Sequence, residues 1–295
     1  MGKIANKNPM FKAFLMAVLL QPQPADSIQL IDSNQILEKV NELNADKSYD
    51  QSIALIQQIN PADSNYLLAQ VYLFDCYGKS SRFDRAIALA KKLEKDNKYL
   101  PSLFYMQYGN LLLNHNLMEK ARKIYNEGLT QYPYYYPLLY NIGFSYFKEE
   151  KYEDAILKFQ ETLEINPYYS SAHQMLGNIM SMTNQRTKAA LSYLTYLGIN
   201  PDQNWALVRL NNLMNDGYRL EGSLDINFKN DDFKKMDQLL RSKAALDDQF
   251  SSNINFEAPV AQQCELLLHK LIYVENSDDF WMKFYVPFYS KLKTA

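Results

Sequence analysis

The sequence predicts an all-α chain of helical hairpins stacked in a row. Three observations carry this. Small residues, aromatics and prolines recur at one interval of 34 residues through the middle of the chain. Glycine is scarce, 9 in 295 residues, which disfavours turn-rich β folds and suits helices. Tyrosine is abundant, 23 residues, and gathers at the joints between predicted helices, where a large ring with a hydroxyl packs at a wet edge.

The interval is read directly. Gly109, Gly143 and Gly177 are one period apart, as are Ala121, Ala155 and Ala189. Tyr125, Phe159 and Tyr193 share the register, and so do Pro133, Pro167 and Pro201. A fixed period of this length denotes a repeat array rather than a single compact fold.

These residues resemble the tetratricopeptide repeat, whose pattern runs W-x2-L-G-x2-Y, then A-x3-F, then P. The matching segments are YMQYGNLL with ARKIY and Pro133, LYNIGFSY with AILKF and Pro167, and HQMLGNIM with AALSY and Pro201. The resemblance implies paired antiparallel helices in a right-handed superhelix. Glycine and alanine stand where helices approach closely, and overfilling such a hole costs about 1–3 kcal/mol. The aromatic is a buried knob whose truncation, as in Phe159→Ala, costs about 3–5 kcal/mol. Each proline ends a hairpin.

The stretch YPYYYPLLY at 132–140 is then an inter-repeat joint: Pro133 closes one unit and Pro137 enters the first turn of the next helix. The joint returns one period later as NPYYSSAH. Good repeats are expected at 102–135, 136–169 and 170–203, with degenerate ones at about 33–64 and 67–101. In the latter, Phe74 replaces the glycine while Tyr77 and Ala86 are kept. A capping helix is expected at 204–216, completing a solenoid over 27–216. A linker at 217–230 and a helical C-terminal region at 231–295 follow, the latter with a Pro287 kink.

Residues 1–26 read two ways. Lys3, Lys7 and Lys12, then AFLMAVLL, then QPQPADS match either a signal peptide or a first helix. The first places the protein in the periplasm or cell envelope, the second in the cytoplasm. The Tyr- and Asn-rich composition resembles that of bacterial envelope repeat proteins. No apolar run is long enough to span a bilayer.

A net charge of −2 without a basic cluster argues against nucleic acid, since KKLEKDNK is diluted by Glu94 and Asp96. Cys76 and Cys264 stand alone and imply no disulfide framework. His115, His173 and His269 form no metal pair, and no phosphate loop or nucleophile elbow occurs. DINFKNDD fails as a calcium loop because Lys229 and Asn230 occupy the wrong places. No catalytic constellation, cofactor or metal site is expected.

The resemblance implies instead a groove lined by the first helix of each repeat. Its positions are Met106, Asn110, Leu113, Tyr140, Asn141, Phe144, Phe147, Gln174, Met175, Asn178 and Met182. Asn110 and Asn141 match two asparagines of the family's chaperone-tail clamp, but Met106, Ser171 and Met175 stand where its cations belong. That argues against a chaperone tail. The expected role is a non-catalytic scaffold holding a peptide or helix of another protein. The alternative is a structural protein whose groove is filled by its own terminal helix, FWMKFYVPFY or AFLMAVLL, or by a second copy.

Overall fold

The computed structural model describes residues 32–214, 232–241 and 259–292; the N-terminal segment and the 217–230 linker lie outside them. Helices α1 (Ser33–Ala45), α2 (Tyr49–Ile56), α3 (Tyr66–Lys79) and α4 (Phe83–Asp96) come first. The three good repeats supply α5 (Ser102–Asn114), α6 (Met118–Gln131), α7 (Tyr136–Lys148), α8 (Tyr152–Ile165), α9 (Ser170–Met182) and α10 (Arg186–Ile199). Helix α11 (Asn204–Met214) follows, and the C-terminal helices are α12 (Lys234–Arg241), α13 (Pro259–Lys270), α14 (Phe280–Phe284) and α15 (Val286–Leu292). No strand occurs among the described residues. The fold is all-α, with consecutive helical hairpins.

The chain divides into two compact units, with the boundary between Lys92 and Leu93 inside α4. The first has its own core of Ile36, Leu37, Val40, Ile53, Ile56, Ala69 and Leu73. Polar ties reinforce it: Ser33 donates to Asp63 at 2.9 Å, and Ser52 to Asn44 at 2.8 Å.

The second unit is built on the repeat signature. A Cβ added at Gly109 would lie 2.0 Å from the Tyr125 ring, at Gly177 2.6 Å from Tyr193, and at Gly143 2.9 Å from Phe159. Ala121, Ala155 and Ala189 are fully buried. The glycine of the first helix is thus the seat of the second helix's aromatic. Gly128 is a further close approach, facing Leu138 and Tyr105 of the flanking first helices.

Within each of the five hairpins the corner is closed by a non-glycine residue in the left-handed region: Lys47, Ser81, Asn116, Glu150 and Asn184, at φ near 60°. At Glu150, its own N–H bonds Phe147 O and the next N–H bonds Tyr146 O, both at 3.0 Å. Pairs of this kind satisfy helix-end carbonyls in a Schellman arrangement.

The C-terminal helices pack on α10. Trp281 Nε1 donates to Ser192 Oγ at 3.0 Å, and the Tyr289 hydroxyl lies 2.9 Å from Thr195 Oγ1. Lys188 Nζ and Asp279 Oδ2 form a buried ion pair at 2.5 Å, with the Phe233 and Trp281 rings beside the ammonium. Asp237 accepts from Thr187 N at 2.7 Å and from its hydroxyl. Pro287 enters the first turn of α15, so the aromatic run breaks into two short helices. The run FWMKFYVPFY therefore packs on α10 and on His173.

Candidate functional site

The first helices α5, α7 and α9 position the predicted groove. Their glycines turn one face of each helix toward its partner, leaving the residues between to line the other. Nine of the predicted positions are half-buried: Met106, Asn110, Tyr140, Asn141, Phe144, Phe147, Gln174, Asn178 and Met182. Leu113 and Met175 are 4% and 7% exposed and belong to the core instead.

An aromatic strip runs along α7. The Tyr140 and Phe144 rings stack at 6.3 Å between centroids, Phe144 and Phe147 at 6.5 Å, and Tyr152 meets Phe147 edge-on at 5.7 Å. Tyr169 closes the joint end, 5.1 Å from both Tyr136 and Tyr140. Burial, with Tyr169 adding to it, pushes the Tyr140 hydroxyl up to about 12. The Lys148 ammonium lies 5.6 Å above the Phe144 ring.

Amides flank the strip. The Tyr125 hydroxyl donates to Asn110 Oδ1 at 2.7 Å, and Asn141 Nδ2 donates to the same oxygen at 3.0 Å. Tyr193 donates to Asn178 Oδ1 at 2.9 Å. Asn110 and Asn178 thereby each have the side-chain oxygen engaged by a tyrosine hydroxyl of the second helix. One period after Asn110 and Tyr125 stand Phe144 and Phe159: where the knob lacks a hydroxyl, its partner lacks an amide.

His173, the occupant of the repeat's tryptophan slot, is fully buried. Its Nε2–H donates to Pro167 O at 2.8 Å, and its Nδ1 accepts from the Tyr285 hydroxyl at 2.8 Å. Burial lowers its pKa to about 4. Among the described residues no group of three His, Cys, Asp or Glu side chains is placed to hold a metal, and no helix is long and apolar enough to cross a membrane.

Residues 136–169 match the family model of the tetratricopeptide repeat. No curated protein matches the chain. Among solved structures, Pseudomonas aeruginosa pilF is similar at 14% identity and a TM-score of 0.53, over 72% of this chain and 88% of that one. MamA of Desulfovibrio magneticus RS-1 aligns at 16% identity and a TM-score of 0.46, over 59% of this chain and 99% of that one. YrrB, described as a TPR protein with an unusual peptide-binding site, aligns at 15% identity and a TM-score of 0.43, over 68% and 97%. The matched segment is the central one of three in-register hairpins with the same glycine–aromatic seat, so the chain carries the tetratricopeptide repeat there.

Proposed function

We propose that the protein is a non-catalytic scaffold that holds a peptide or helix of another protein on the face made by α5, α7 and α9. The observation that supports this is the strip of Tyr140, Phe144 and Phe147 beside Asn110 and Asn178, whose oxygens are engaged by tyrosine hydroxyls. Aromatic rings give large contact area at small rotamer cost, and amide donors suit backbone carbonyls. The aromatic C-terminal run, which was one alternative occupant, is buried against α10. That favours an occupant from elsewhere.

The test uses the full chain with Tyr140→Ala plus Phe144→Ala, its melting compared with wild type. Protein partners retained by wild type are expected to be lost by the variant. Should the pair melt early, Phe147→Gln with Met106→Gln serves instead, both residues being half-buried. Retention of every partner by folded variants overturns the assignment of the groove.

A further inference from the structure

The C-terminal helices meet α10 at Thr187, Lys188, Leu191, Ser192 and Thr195. Asp237 accepts from Thr187 N, Asp279 pairs with Lys188, and Trp281 donates to Ser192. The Tyr289 hydroxyl donates to Leu191 O and meets Thr195 Oγ1. One 34-residue period earlier, the same positions on α8 are Glu153, Asp154, Leu157, Lys158 and Glu161. There the face is open: Leu157 is 55% exposed, whereas its equivalent Leu191 is fully buried. Ile165 adds a second exposed apolar side chain on the same face, eight residues and about two turns further along α8. On α6 the period puts Lys123 in the leucine position, so α8 shares its apolar centre with covered α10 and not with α6.

The covered face shows what shape of occupant fits. From Lys188 through Ser192 to Thr195 the partners run Asp279, Trp281 and Tyr289, so a helical segment lies along α10 in the same direction. That contact reaches the end of α8 as well: Tyr285 bonds His173, and His173 bonds Pro167 O, two residues past Ile165. Charge then decides which helix fits α8. The C-terminal helices bring Asp237 and Asp279 to this register, and on α8 they would meet Glu153 and Asp154. Like charges set against each other at an interface repel, so the C-terminal helices of a second copy are the wrong occupant. Lys158 is engaged by Glu161 at 2.8 Å, and the exposed Glu164 makes the rim more acidic.

We propose that the outer face of α8, centred on Leu157, docks a basic amphipathic helix of another protein. An apolar ridge on that helix covers Leu157 and Ile165, and its Lys or Arg side chains meet the acidic rim. The surface lies on a second helix, whereas the groove is lined by first helices, so the two are independent.

Fluorescence anisotropy with the full chain tests the proposal. The probe is a labelled amphipathic peptide of Leu and Lys, about 18 residues long so that it holds a helix in water. The same peptide with Glu in place of Lys is the second arm. Only the Lys peptide is expected to bind, about tenfold more weakly to Leu157→Ser. Glu153→Gln plus Glu161→Gln should weaken binding and flatten its salt dependence. The period-matched pair on α6, Glu119→Gln plus Glu127→Gln, should change nothing. These side chains lie at the surface, so wild-type melting temperatures are expected for every variant. No binding, equal loss in the α6 pair, or binding unchanged by Leu157→Ser overturns the proposal. So does loss in Tyr140→Ala plus Phe144→Ala alone, which would seat the peptide in the groove. A dimer in sedimentation that Leu157→Ser splits would assign the face to a second copy and overturn it too.

Discussion

Positions sixteen residues apart set the contact in the three good repeats, where a glycine seats an aromatic, and the equivalent positions of the first two hairpins are buried as well. Going along the chain the pairs are Val40 with Ile56, Phe74 with Ala90, Gly109 with Tyr125, Gly143 with Phe159, and Gly177 with Tyr193. Their side chains are buried to within 1% exposure wherever a side chain exists. Large and small change places between the second hairpin and the third: Phe74 stands at the glycine position and Ala90 at the aromatic one, both buried. Filling the seat without emptying the knob is costly. Gly109→Ala puts a methyl within 2.0 Å of the Tyr125 ring and should destabilise by about 1–3 kcal/mol in a denaturant melt, more than Gly143→Ala at 2.9 Å. The size rule explains why the three good repeats were legible in the sequence. The orientation of Asn110 and Asn178 was not, because it depends on hydroxyls of Tyr125 and Tyr193 arriving from another helix. Nor was the burial of Leu113 and Met175, since register alone gives a position on a helix and not how much its neighbours cover.

At the scale of the element, the hairpin corners carry a conformation that sequence reading did not find. Glycine is the usual marker of left-handed backbone, and Lys47, Ser81 and Glu150 give no such signal. The left-handed region costs a non-glycine residue roughly 1–2 kcal/mol, less for asparagine. Glu150→Gly, which also frees the unfolded chain, should therefore net about 0.5–1 kcal/mol of added stability by chemical denaturation. Asn116→Gly should gain less. An unchanged or lowered midpoint for Glu150→Gly would show that the corner is not strained. The C-terminal helices were visible as helical runs, yet their docking was not. Asp279 caps α14 through the Trp281 and Met282 N–H groups while pairing with Lys188, 91 residues away, a partnership that no local pattern encodes.

For the whole molecule, the buried His173 couples stability to pH. Its folded pKa, about 4, lies below the ordinary 6.5 because burial penalises the charged ring. Between these values the unfolded chain takes up a proton that the folded chain refuses. Stability is accordingly unaffected by this group above pH 6.5 and falls as pH drops toward 4, by about 1.4 kcal/mol per pH unit. Melting temperatures measured from pH 7 to 4.5 should fall for wild type more steeply than for His173→Gln. Equal slopes would mean that the imidazole is not held neutral between Pro167 and Tyr285.

From Arg186 to Tyr193, α10 has eight consecutive buried residues, Lys188 and Ser192 among them. A helix wrapped on every side has no stripe to betray which neighbour it prefers, and polar letters in it look like surface. The same wrapping removes evolutionary slack. Along this segment each replacement is felt by one layer or another, so a change here disturbs the seam with the C-terminal helices.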